Sequence, residues 1–149
     1  MDRQLQAQIE LLDHIKDTFF QLRRAFIENQ IKEFPYSLTA TKYAVLKMLF
    51  QKRRCMVVDI SNTMGMTSGA TTTLLNQLEE EQLIYRMRDE KDRRVVWIVL
   101  SETGESLISA IVEKRNHFWA EMLSTLSKEE QDEYIRLLKK IEAGIKAKV

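Results

Sequence analysis

"RMRDEKDRRVVWIVLSETG", residues Arg86 to Gly104, breaks the rhythm of the chain around it. Six consecutive charges, Asp89 to Arg94, separate Ile84–Arg88 from Val95–Leu100, two short runs rich in Val, Ile, Tyr and Trp. β-Branched and aromatic side chains favour extended backbone, so the runs predict two strands and the charges a hairpin tip. Ser101, directly after the second run, is placed to cap a following helix.

Upstream of the hairpin the apolar spacing is helical. Thr39 caps a helix whose apolar face is Tyr43, Leu46, Met48, Leu49 and Phe50. Val58–Met64 reads as a short helix, Gly65 as the residue that permits a turn, and Thr67 as the N-cap of the next helix. In that helix Thr71, Leu74, Leu75 and Leu78 fall at i, i+3, i+4 and i+7, which makes one face buried and leaves the opposite face polar. Two helices joined by a tight Gly-containing turn and followed at once by a hairpin follow the winged helix-turn-helix plan.

Long helices remain on either side. Leu5, Ile9, Leu12, Ile15, Phe19, Leu22 and Phe26 form an apolar seam down a first helix of about 28 residues, or about 40 Å, that ends near Pro35. After Ser101, a long helix carries Leu107, Ile108, Ile111, Val112, Phe118, Trp119, Met122 and Leu123. Ser127 with Glu130 has the capping-box pattern and opens a last helix through Tyr134, Leu138, Ile141 and Ile145. The expected fold class is mainly α, a winged helix-turn-helix lobe with a short β-hairpin wing. Apolar seams at both ends of the chain are suited to intertwining with a second subunit.

Composition agrees with one ordinary domain. The chain has 149 residues, 44% hydrophobic and 30% charged, with one Pro and four Gly. The net charge of +1 hides an uneven distribution: residues 40–100 carry ten basic and seven acidic side chains, whereas both flanks are slightly acidic. The basic surplus in the middle points to an anionic partner there. One cysteine, Cys55, excludes an intramolecular disulfide and a cysteine metal site, and a reducing cytoplasm is the expected compartment. No leader and no membrane-spanning stretch is expected.

The sequence resembles the MarR family of bacterial transcription regulators over essentially its whole length. The resemblance rests on "DRRVVWIVLSETG", in which a wing Asp-Arg-Arg and a strand lead into Leu-Ser-x-x-Gly, preceded in order by "LTATKYAVLKML" and "VDISNTMGMTSGATTTLLNQLEEEQLIYR". It implies a single MarR-type domain over 1–149, with dimerisation helices at 1–34 and 105–149 and a DNA-binding lobe at 39–100. It implies a homodimer on double-stranded DNA that represses a promoter and releases it when a small-molecule effector binds.

The DNA-contacting residues expected on this basis are Thr67, Ser68, Gly69, Thr72, Thr73, Asn76 and Gln77 from the recognition helix and Arg86, Arg88, Lys91, Arg93 and Arg94 from the wing. Hydroxyls and amides bond base edges or phosphates, Asn or Gln pairs with adenine through two atoms, and the helix N-terminus near Thr67 and Ser68 suits a phosphate. The helix face lacks Lys and Arg where relatives often place a basic residue, near Thr73 or Gln77. Phosphate neutralisation then falls to the wing, with Lys52, Arg53 and Arg54 nearby in sequence, and Arg94 is the residue expected in the minor groove. Asp92 would repel phosphate, so it is expected to hold a wing Arg or to cap the turn through backbone amides. Without the resemblance, the helix face reads equally as a solvated surface and the wing as a charged tip that blocks edge-to-edge aggregation.

Gln82 occupies a position where the family generally has Gly in left-handed geometry, so a distorted end to the recognition helix is expected. Cys55, entering a short strand, is read as a small core residue although Arg53 and Arg54 stand beside it. His14 and His117, the only histidines, do not suggest a histidine-rich metal site, and no cofactor is expected. The chain has no catalytic constellation and is not read as an enzyme. The resemblance would put an effector pocket near Phe19, Phe26, Phe34, Tyr36 and Trp119, but aromatic residues at helical spacing are more often core than pocket, and none of them is assigned to a site. The rival functional class is a winged-helix module that binds protein without specific DNA recognition, which near-zero net charge and an uncharged helix face would suit.

Overall fold

The computed structural model describes residues 2–31 and 38–148, with side chains over 2–25 and 38–148. Its elements run α1 (Arg3–Ile31), α2 (Ala40–Lys52), β1 (Arg54–Cys55), α3 (Val57–Met64), α4 (Ser68–Glu80), β2 (Ile84–Arg88), β3 (Val96–Leu100), α5 (Glu102–Ser124) and α6 (Lys128–Lys146). The expected end of the first helix near Pro35 and the pocket candidates Phe34 and Tyr36 lie outside the described residues, as does the side chain of Phe26. The chain divides into two compact units, residues Met1–Arg23 with Lys114–Val149, and residues Arg24–Glu113.

In the second unit the helix starts follow from local chemistry. The Thr39 hydroxyl accepts from the Lys42 amide (3.2 Å) and the Thr67 hydroxyl from the Ala70 amide (3.2 Å), each satisfying one of the amides that a helix start leaves unpaired. Gly65 ends α3 at φ +62°, and the Met66 amide reaches back to the Ser61 carbonyl (3.0 Å) to close the turn between α3 and α4. Across that turn the Ser61 hydroxyl donates to Thr71 Oγ1 (2.9 Å), which donates onward to the Thr67 carbonyl (2.9 Å). Thr71 is fully buried, and this chain satisfies its hydroxyl inside the helix contact.

The expected distortion at the end of α4 does not occur. Gln82 takes the left-handed conformation itself, at φ +59°. The Gln82 amide bonds the Glu79 carbonyl (2.9 Å) and the Leu83 amide bonds the Leu78 carbonyl (2.9 Å), the hydrogen-bond pair that normally accompanies glycine there. The two backbone bonds and the burial of Leu83 hold the conformation against its steric cost.

The sheet contains a third strand besides the hairpin. The order is β1-β3-β2, all antiparallel, with Cys55 opposite Ile98 and Met87 opposite Trp97. Val45, Leu46 and Leu49 of α2, Ile60 of α3, Leu75 and Leu78 of α4, Leu83, Ile98, and Leu107 and Ile108 of α5 form a core almost wholly shielded from solvent. Lys42 reaches from the start of α2 to Glu81 after α4 (Nζ to Oε1 2.6 Å), a largely buried ion pair at the edge of that core.

Leu-Ser-x-x-Gly, which closes the wing, has a steric basis. The Ser101 amide donates to the Leu83 carbonyl (3.0 Å), its hydroxyl donates to the Gln82 carbonyl (2.6 Å), and the Gly104 amide donates back to Ser101 Oγ (3.0 Å), capping α5. A Cβ on Gly104 would lie 1.9 Å from the Leu83 carbonyl oxygen, so only glycine permits this approach.

In the first unit, the Phe19 ring lies 5.3 Å from that of Phe118 and 5.0 Å from that of Trp119, centroid to centroid. Most of the seam of α1 is nonetheless open: Leu5, Ile9, Leu12, Ile15 and Leu22 are exposed. The Ser127–Glu130 capping box forms at the start of α6, whose Tyr134, Leu138, Ile141 and Ile145 are likewise exposed. Among the described residues no helix is long and apolar enough to cross a membrane.

Candidate nucleic-acid interface

Burial of Thr71, Leu74, Leu75 and Leu78 turns the opposite side of α4 to solvent. Ser68, Gly69, Thr72, Thr73, Asn76 and Gln77 are all exposed there, as is Thr67 at the cap. Thr72 and Thr73 donate their hydroxyl protons to the carbonyls of Ser68 (3.0 Å) and Gly69 (3.1 Å), one turn back. What they present outward is a methyl group and oxygen lone pairs. A Cβ on Gly69 would meet nothing, so glycine here keeps the surface of the helix low.

The wing is stiffened by two carboxylates. Asp89 Oδ1 accepts from the amides of Lys91 (2.9 Å) and Asp92 (3.0 Å), while its Oδ2 accepts from the Trp97 indole nitrogen (2.9 Å). These donors, the indole first and then the Asp92 and Lys91 amides, hold the Asp89 carboxyl below its ordinary range. Asp92 Oδ1 accepts from the Arg94 amide (3.1 Å) and from Arg94 Nε (3.0 Å), and Oδ2 accepts from Nη2 (3.0 Å). The side-chain bonds to Arg94 lower the Asp92 carboxyl in turn. Arg94 is therefore fixed in direction while its side chain stays 91% exposed.

The other wing cations differ in their engagement. Arg88 Nη1 donates to the Arg93 carbonyl (2.9 Å). Lys91 and Arg93 are exposed and form no ion pair among the described residues. Arg86 turns away from the tip toward α4, pairing with Glu79 and donating from Nη2 to Asn76 Oδ1 (2.8 Å). Arg54 stacks over the Trp97 ring at 4.3 Å, and Arg53 pairs with Glu105 (3.1 Å). Residues 88–94 together carry four cations and three carboxylates, so the wing presents directed guanidinium groups rather than a broad positive field.

Asp89 and Trp97 received no individual role from the sequence, and Arg54, expected only as a cation near the wing, stacks on the Trp97 ring. The signal available for Asp89 was its place at the mouth of the turn, where an Asp side chain commonly bonds amides two and three residues on. Cys55 is buried, and burial pushes its thiol pKa up, which keeps it protonated and unreactive at neutral pH. Among the described residues no three His, Cys, Asp or Glu side chains gather as metal ligands.

Comparison with known proteins agrees with this geometry. The sequence model of the MarR family matches residues 38–96, from the start of α2 into β3. An uncharacterised HTH-type transcriptional regulator of Bacillus subtilis (strain 168), YwhA, is 30% identical over 131 residues, 88% of this chain and 92% of the relative. The HTH-type transcriptional regulator MhqR of the same organism is 31% identical over 113 residues, 76% of this chain and 77% of the relative. Among solved structures, a MarR family protein from Bacillus stearothermophilus superposes with a TM-score of 0.75 at 31% identity, covering 98% of this chain and 99% of that one. With its three-stranded winged lobe, helix-turn-helix and near full-length likeness to such proteins, the chain belongs to the MarR family of transcription regulators.

Proposed function

We propose that the chain acts as a cytoplasmic homodimer that represses transcription by binding a pseudo-palindromic operator, with half-sites about 10 base pairs apart, and that a small-molecule effector releases it. The observation that carries the DNA-binding part is an exposed face on α4 that lacks any cation, beside a wing whose Arg94 is both exposed and held in one direction by Asp92. Thr67, Ser68, Gly69, Thr72, Thr73, Asn76 and Gln77 enter the major groove. Arg88, Lys91, Arg93 and Arg94 meet phosphates and the minor groove, with Arg86 joining the wing to α4. Guanidinium suits a narrow minor groove, where negative potential is concentrated. Exposed apolar residues along α1 and α6 support dimerisation, because a monomer would leave them in water.

The test is fluorescence anisotropy on DNA from just upstream of the gene, against scrambled DNA, at several salt concentrations. Tighter binding to the first probe, weakening as salt rises, is the expected result. Equal affinity for both removes that segment as a specific operator. A stable monomer that recruits a different protein chain would favour a protein-interaction module instead, a reading that the near-balanced charge of the wing supports.

A further inference from the structure

Trp97 stands between a cation and an anion. Arg54 pairs with Val99 across β1 and β3, two residues beyond Trp97 on the same face of the sheet, and lays its guanidinium over the indole at 4.3 Å. Arg54 forms no ion pair among the described residues, so the ring is what holds this exposed side chain. At the edge of the ring Nε1–H donates to Asp89 Oδ2 (2.9 Å), while Asp89 Oδ1 accepts from the Lys91 (2.9 Å) and Asp92 (3.0 Å) amides. Asp92 in turn holds Arg94. A continuous series of contacts therefore runs from the edge strand β1 to the tip of the wing, with Trp97 in the middle. Its parts reinforce one another: an N–H bonded to a carboxylate makes the indole face more negative, which strengthens its pull on the guanidinium.

A charged hairpin tip that is loose in the free protein must be ordered when it settles on DNA, and that ordering subtracts from affinity. Here the tip is held beforehand. Arg54 itself is set back, because Val99 lies toward the end of β3 remote from the tip. We infer that Arg54 and Trp97 are positioning residues for DNA binding: through Asp89 they order the tip that carries Arg94 before DNA arrives, and Arg54 neutralises no phosphate. This separates Arg54 from the phosphate-binding role that its place beside Lys52 and Arg53 suggested. The two roles leave different signatures. Losing a cation that meets a phosphate lowers the salt slope by about 1, whereas losing a group that only orders the tip weakens binding at every salt concentration and leaves the slope unchanged. The inference rests on the wing meeting DNA as proposed above.

Two measurements on the full-length chain test it. Heteronuclear NOEs at the Lys91, Asp92 and Arg94 amides read tip order without DNA, and anisotropy across a salt series reads affinity and slope on a duplex that the wild type enriches from random sequence. Arg54→Met and Trp97→Phe are expected to lower the NOE at the tip alone, to weaken binding roughly threefold to tenfold, and to keep the wild-type slope. Arg54→Lys, which keeps a cation over the ring, is expected to stay within about twofold of the wild type. A slope reduced by about 1 in Arg54→Met makes Arg54 a phosphate contact and overturns the inference, as does wild-type tip order in both Arg54→Met and Trp97→Phe. Either result leaves DNA binding intact. Enrichment of no duplex by the wild type, with the tip still loosened in the variants, overturns the DNA-binding proposal and the role in binding together, and leaves Arg54 and Trp97 as supports of the hairpin. Should Trp97→Phe fail to fold, Arg54→Met, altered only at an exposed side chain, decides.

Discussion

Gln82 and Gly104 stand about twenty residues apart in sequence and are two places where a single Cβ has a large consequence, with opposite signs. At φ +59° Gln82 bears a steric cost that glycine would not, so Gln82→Gly is expected to raise stability by about 1 kcal/mol in urea titration. Gly104→Ala drives a Cβ to 1.9 Å from the backbone oxygen of Leu83, which has no rotamer to escape through, and a loss of about 2–3 kcal/mol is expected in the same assay. Asp89 is the residue whose charge the wing depends on. Its carboxylate accepts three hydrogen bonds and its folded-state pKa lies below the ordinary 3.8, so its contribution is fully present above the unfolded value and disappears as pH falls through the folded one. The turn is therefore expected to keep its order at neutral pH and to lose it only below about pH 4. Carboxyl ¹³C titration checks this, and a midpoint at or above the ordinary value would contradict it.

Among the elements, α4 and the wing divide the proposed DNA contact between shape and charge. α4 has no cation on its exposed face, and Arg86 on β2 is occupied by Glu79, so salt dependence falls to the tip. Arg94→Ala is expected to weaken operator binding and to reduce the salt slope by about 1, measured by anisotropy across a salt series. Unchanged affinity and slope would remove Arg94 from the interface. The elements themselves were legible in the sequence because their signals are local: Thr39, Thr67 and Ser127 each bond an amide three residues on, and the buried side of α4 repeats with the helix period. The termination of α4 was misread because glycine is not the only residue that the left-handed turn accepts when backbone bonds and a buried Leu83 support it. β1 was faint since two residues cannot show an alternation. The Glu79–Arg86–Asn76 bridge was illegible for a different reason. It joins side chains seven and ten residues apart on two elements, and nothing in their identities distinguishes such a bridge from three independent surface groups.

For the whole molecule, the exposed apolar residues of α1 and α6 set the expected assembly. Leu126, Glu129, Glu130, Glu133, Tyr134 and Leu137 together line a shallow groove. Ile141→Glu places a charge among the exposed apolar residues of α6, and conversion of a dimer to a monomer is the result expected in light scattering, with helical content retained. A variant that stays dimeric would move the interface off this face of α6. The two compact units also differ in one optical respect. Trp97, pressed under the Arg54 cation and bonded to Asp89, is the only tryptophan of the winged unit, and Trp119, beside Phe19 and Phe118, is the only one of the other. Each unit thus carries its own built-in fluorophore. A Trp119→Phe chain would emit from the winged unit alone and a Trp97→Phe chain from the other unit alone, so changes in the two units could be timed separately without any label.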